Sequence, residues 1–504
     1  MAQVFTRASH ACSRHDKTAR HNAFTLCALW AFFDCYSTAM NSSYRHFRLP
    51  MAAALALLAG CASTAPPGAA LPTPPVPTAW SATPDTRAVP AAVATPLAQW
   101  WQRFGDPQMT DLVAQALQAH TSVRSARAAL QQARAQAQVQ QAGLLPSVNA
   151  SGSAQRSRSG GSTGNNFQLG FDAAWEPDVF GRLNAGADAS EADARAAQAS
   201  LDQVQVSLAA EVALNYITLR GQQERLSIAR RNLTSQRETL QMTDWRVQAG
   251  LTTSLVSEQA RAAAEQTAAQ IPQLEASLAQ SRHALAVLTG RAPGALDALL
   301  ASQRPVPQPS DDLVLAIPAE TLRQRPDVRQ AEERIAAALA RVAQADAARY
   351  PSFRISGSLG LRALTLGAMG DGASVAQALL AGISVPLFDG GAARAQVRVQ
   401  EAALEQARVG YEATVLTALQ DVEDALVALR GERARLVRLQ AAADAAGNAA
   451  LLAQNRYESG LIDFQAVLDT QRTLLSTQDS VATSIANAGA DHVRLYKALG
   501  GGWQ

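Results

Sequence analysis

Lysine, cysteine and histidine are all scarce in this chain of 504 residues, and each shortage closes off a class of function. Beyond residue 60 the sole lysine is Lys497, and 38 basic side chains stand against 40 acidic ones. That balance offers no basic surface to nucleic acid. Beyond Cys61 there is no cysteine, which suits a periplasmic compartment where stray thiols would be oxidised. Past residue 60 the histidines are His120, His283 and His492, widely separated, with no H-E-x-x-H motif and no phosphate loop. The acidic run Asp421, Glu423, Asp424 sits beside apolar heptad positions and reads as a helix face, not as a metal site. "GGSTG" at 160–164 fits G-x-S-x-G but lies in a polar loop with no helix after it, so the nucleophile-elbow context is missing. The expectation is a protein without catalysis, metal or cofactor.

Proline is withheld in a pattern. Nine of the 22 fall between Ala62 and Pro96, where the chain reads as an extended tether. None occurs between Asp178 and Ile271, and none from Leu387 onwards. Such alanine-rich stretches are what long helices require. From Leu183 to about Ala249 roughly 67 residues would extend on the order of 100 Å as a helix, more than a compact domain needs. Val212, Leu219, Leu226, Leu233, Leu240 and Val247 recur every seven residues, as do Val415, Val422, Leu429 and Leu436. These stripes predict coiled-coil packing. The other faces are Ala, Gln, Arg and Glu, so the helices stand in water.

The lone late cysteine closes a signal. Arg45, His46 and Arg48 precede "LPMAAALALLAG", an apolar run too short to remain as a membrane helix. Met40 is the natural start for it, which makes 1–39 an upstream misread start and 40–60 the signal peptide. Leu58, Ala59, Gly60 and Cys61 resemble the lipobox of bacterial lipoproteins, which implies a covalent lipid on Cys61. Ala62 in place of Asp implies, by the same likeness, sorting to the outer membrane. Two or more acyl chains suffice for stable anchoring.

The body is duplicated. "PSVNASGS" at 146–153 returns as "PSFRISGS" at 351–358, and "RVQAGL" at 246–251 as "RYESGL" at 456–461. The segments are therefore the tether at 61–96, a first repeat at 97–300 and a second at 301–504. Each repeat reads helix, strand, strand, long helix, turn, long helix. Phe167, Leu169, Phe171, Ala173 and Trp175 alternate with Gln168, Asp172 and Glu176. Val148, Ala150, Gly152 and Ala154 do the same, as do Phe353, Ile355, Leu359 and Leu361, and more weakly Ala381, Ile383, Val385 and Leu387. Two-faced strands of about ten residues can cross a bilayer when tilted, or form a sheet with one wet face. A membrane sheet cannot leave edges unpaired, and four strands cannot close alone, so copies must pool them. Periodicity does not choose the number of copies.

Over residues 97–504 the sequence resembles the TolC-like outer membrane efflux proteins, and within them the NodT-type lipoproteins. "WEPDVFGRL" at 175–183, "LRQRPDVRQAE" at 322–332, "VPLFDGGAARAQV" at 385–397 and the ending "KALGGGWQ" carry the likeness. It implies a mainly α fold with a small β part. In it a tandem-repeat protomer gives four strands to a trimeric, twelve-stranded outer membrane β-barrel on a long periplasmic α-helical barrel. It implies the exit duct of a tripartite efflux system for small compounds such as drugs. The homotrimer would sit among outer membrane lipid and work with a periplasmic adaptor and an inner membrane pump. An exit duct for type I protein secretion or for metal ions, and a non-conducting structural envelope lipoprotein, are the alternatives.

The resemblance places Gly250 and Gly460 at the turns of the periplasmic hairpin tips, and Tyr457, Asp469 and Arg472 where related ducts form a constricting network. Asp469 and Arg472 lie three apart on a helix and share a face. A ring of carboxylates would focus negative potential in a narrow mouth. "RPDVRQAE", "EPDVFG" and "PLFDGG" read as architecture: a proline and a carboxylate in a first helical turn, and glycine turns out of strands.

Overall fold

The computed structural model describes residues 76–77, 80, 97–309, 322–323 and 325–501. Cys61, the segments 1–39 and 40–60, and nearly all of 61–96 lie outside the described residues. Within the tether, Trp80 is buried against Val422, Leu429 and Leu495.

After a 3-10 segment, Leu97–Phe104, come α1 (Pro107–Ala119), α2 (Thr121–Ala142), β1 (Ser147–Ser159), β2 (Ser162–Trp175), α3 (Arg182–Gln248) and α4 (Ser254–Leu288). The second half supplies α5 (Pro326–Ala347), β3 (Ser352–Ala363), β4 (Val375–Ser384), α6 (Ala392–Glu458) and α7 (Phe464–Ala498). Both bounds of α3 and α4 fall 210 residues before those of α6 and α7, and both bounds of α2 fall 205 before those of α5. The β3–β4 connection is the longer one, and the shorter β3 and β4 offset part of it, so the net difference by the start of the long helices is five residues. The β1–β2 turn needs only Gly160 and Gly161, whose φ values of 58° and 87° meet the demand of a two-residue hairpin.

The strands form one antiparallel sheet in the order β1-β2-β3-β4, so β1 and β4 are its edges. The register brings Ala150, Phe171 and Leu359 side by side, with Asn149, Asp172 and Ser358 one step along on the opposite face. The apolar face is uncovered by the chain itself: Leu169, Phe171, Leu359, Leu379 and Ile383 are exposed, Leu379 by 84%. Between the two repeats Gly170 pairs with Gly360, and a Cβ on Gly360 would lie 2.8 Å from the Gly170 Cα, so only glycines allow this approach.

The fourth strand departs from the sequence expectation. It spans Val375–Ser384, and Val385 and Leu387 fall beyond its end, Leu387 being 93% exposed. Pro386 has no N–H to give a ladder, so the strand ends before it, and the alternating apolar residues continue past that stop.

Both long helices begin in the same way. Gly181 and Gly391 take left-handed φ of 77° and 90° at the N-cap. The Asp178 carboxylate then accepts from the N–H groups of Leu183 and Asn184, and Asp389 from Gly391 and Ala393. Those backbone donors hold the Asp389 carboxyl below the usual carboxylate range. Pro326 opens α5 with Asp327 in its first turn, as the motif predicts. The buried Arg325 beside it pairs with both Asp327 and Asp421 and donates to the Ala498 carbonyl, which ties α5, α6 and α7 together.

Along α3 the small residues Ala185, Ala189, Ala192, Ala196 and Ala199 are buried at alternating steps of four and three where it packs against α5. The heptad residues Val212, Leu219, Leu226 and Leu233 are buried beyond them, as are Val415, Val422 and Leu429 on α6. The main core lies where α1 packs on α3 and the 3-10 segment packs on α7: Trp100 stacks on Tyr496 with ring centroids 5.2 Å apart, among Met109, Leu112 and Ile217. Buried in this region, Arg220 donates to the Tyr216 hydroxyl, Gln108, Gln223 and the Ser302 carbonyl. Burial pushes the Tyr216 phenol up to about 12, so it stays neutral.

Candidate functional site

The helical hairpins turn at two equivalent places. α3 ends where the Leu251 N–H bonds the Arg246 carbonyl at 2.8 Å, with Gly250 at φ 70°. α6 ends where the Leu461 N–H bonds the Arg456 carbonyl at 2.9 Å, with Gly460 at φ 77°. This six-to-one closure with a left-handed residue is the Schellman motif, and glycine adopts it without strain. Leu251 and Leu461 are left exposed at the two tips. Asp463 caps α7 by accepting from the Ala466 N–H at 3.1 Å.

Asp469 and Arg472 come together on one exposed face of α7. The Arg472 Nη1 lies 3.9 Å from the Asp469 Oδ1, which also accepts from Gln465 at 3.0 Å. Both side chains are more than half exposed, so the pair contributes little to stability and is cheap to break. Tyr457 is not beside them. It is buried between the hairpins with Ala260, Ala263, Ala453, Phe464 and Val467, its ring 5.3 Å from that of Phe464. Its hydroxyl has no hydrogen-bond partner among the described residues.

What holds Tyr457 is Arg246, which sequence reasoning missed. The guanidinium sits 4.5 Å from the Tyr457 ring centroid and donates to the carbonyls of Tyr457 and Glu458 at 3.1 and 2.9 Å. It thereby caps the C-terminus of α6 from the neighbouring repeat, where a cation also suits the helix dipole. The shared arginine of "RVQAGL" and "RYESGL" was the signal that could have found it. Further up, Arg225 forms a two-pronged pair with Asp479 at 2.7 and 3.2 Å, and the buried Gln471 donates to Thr239. These side chains lock α3 to α7 across the two repeats.

The remaining candidates have structural duties. His120 accepts from the Ser122 N–H at the start of α2, and His492 is buried against Arg433. Asp421 is committed to Arg325. The "GGSTG" segment is the β1–β2 hairpin turn and the start of β2.

A protomer with an open, four-stranded sheet apolar on one uncovered face, carried on two antiparallel pairs of very long water-exposed helices, is a channel subunit of the outer membrane type. The chain belongs to the outer membrane efflux protein family, whose model matches residues 112–291 and 317–501. It is 31% identical to Nodulation protein T of Rhizobium leguminosarum bv. viciae over 91% of this chain and 94% of that one. It is also 31% identical to the Toluene efflux pump outer membrane protein TtgF of Pseudomonas putida, over 80% of this chain and 85% of the relative. Among solved structures it superposes on the outer-membrane channel OprN with a TM-score of 0.78 and 35% identity, covering 86% of this chain and 99% of that one. The protein is thus an outer membrane efflux channel with a tandem-repeat, mainly α fold.

Proposed function

We propose that three copies pool their sheets into one twelve-stranded barrel and their helices into a periplasmic tube. That tube is the passive exit duct of a tripartite system powered by an inner membrane pump through a periplasmic adaptor. The observation that carries this reading is the sheet with a bare apolar face and two unpaired edges, β1 and β4. In hydrocarbon such edges must pair, and the edges of neighbouring copies satisfy one another. Twelve strands leave a passage where eight would fill with side chains. The cargo is small organic compounds, in keeping with a relative named for toluene efflux.

The resting tip is closed by residues of α7. Three copies of Asp469 and Arg472 ring the mouth, and docking of adaptor and pump separates them. Tyr457 supports this ring from behind, through the hairpin packing. In planar bilayers Asp469→Ala is expected to raise the conductance of the undocked channel, because it removes an exposed, weakly held pair. An unchanged conductance would remove Asp469 from the gate.

Cys61 carries the lipid that anchors the N-terminus. Labelled fatty acid is expected to enter the wild-type protein and not Cys61→Ser, and label in that variant would contradict the assignment.

A further inference from the structure

We infer that Arg456 is an inter-subunit clamp, reaching from the tip of one copy to the backbone carbonyls of Val247 and Gln248 at the tip of the next. The inference rests on the trimeric ring proposed above. Every bound of α3 and α4 recurs 210 residues later, so the two repeats present superposable tips. Within the chain, Arg246 of the first tip donates to the carbonyls of residues 457 and 458 in the second. Adding 210 to the donor gives Arg456; subtracting 210 from the acceptors gives Val247 and Gln248.

The strand order supplies the neighbour. With β1-β2-β3-β4 closed into a ring, the second repeat of one copy lies against the first repeat of the next, in the same sense as the first lies against the second. The Arg246 contact therefore has a counterpart at each boundary between copies. The Arg456 side chain is free to make it: it is exposed in the last turn of α6, and its guanidinium has no hydrogen bond or ion pair among the described residues.

The other cross-repeat contacts do not transfer. The Arg225–Asp479 pair maps onto Arg435 and Ala269, and the Thr239–Gln471 bond onto Ala449 and Arg261, which cannot reproduce either. The arginine clamp survives because its acceptors are backbone carbonyls, which every residue carries. Its aromatic half does not survive, since Val247 stands where Tyr457 does. The clamp between copies consequently lacks the cation–π contact and is the weaker of the two, so dilation opens the ring at subunit boundaries before it parts the hairpins within a chain.

The test uses the full-length protein with Gln248→Cys and Arg456→Cys, treated with a short bifunctional maleimide that spans the reach of an arginine side chain. Arg246→Cys with Glu458→Cys serves as the control within one chain, and wild type as the control for Cys61. Covalent dimers and trimers are expected on a denaturing gel from the first pair, and cross-linked monomer alone from the second. In bilayers Arg456→Ala should raise conductance severalfold with the native trimer mass unchanged, and Arg456→Lys should restore part of the closure. A native trimer in which the first pair joins no chains would overturn the clamp and leave the barrel standing. A protein that forms no trimer would overturn the ring and the clamp together.

Discussion

Arg220 and Asp469 show how differently one charge is used at two heights of the same helical frame. Arg220 is fully buried and spends its donors on Tyr216, Gln108, Gln223 and a carbonyl, with its guanidinium 4.7 Å from the Tyr216 ring centroid. Arg220→Met would keep much of the volume and leave those acceptors unpaired. It is expected to cost about 3 kcal/mol, since several buried neutral acceptors lose their donor at about 1–3 kcal/mol each. The lowered denaturant midpoint of the solubilised protein would show it, and a midpoint equal to that of wild type would contradict the role. Asp469, by contrast, is exposed, and its loss should change conductance far more than stability.

The elements were largely written in the sequence. The proline-free interval from Leu183 to Ala249 anticipated α3 to within a residue at each end, because nothing inside it breaks a helix and its heptads continue across it. The duplication was legible from short echoes such as "RVQAGL" and "RYESGL", since turns that need a left-handed glycine keep their residues. The fourth strand is less legible, because its apolar alternation runs on through Val385 and Leu387 beyond the strand's end, and pattern alone does not weigh one proline. The internal geometry of the tip is not legible in the sequence. Nothing in a list of residues says that Tyr457 turns inward, or that Arg246 reaches 211 residues along the chain to hold it. The carboxylate caps Asp178 and Asp389 escaped for a related reason, as each acts on backbone N–H groups that composition does not display.

For the whole molecule the decisive feature is unevenness between two helices of equal length. α3 buries 28 of its 67 residues, whereas α6 buries 10 of its 67 and leaves Leu416, Val427, Val437, Leu451 and Leu452 exposed. α3 is enclosed by its own chain along much of its length, whereas α6 leaves a run of apolar side chains uncovered. The sheet repeats the theme with its two bare edges. Both deficits are met at once if copies close into a ring, since each boundary then covers an α6 face and joins β4 of one copy to β1 of the next. Native mass of the mature protein, extracted in mild detergent, tests this most directly. The account predicts a trimer that persists on dilution and requires detergent; a monomer that stays soluble without detergent would contradict it, and with it the barrel and the conduit.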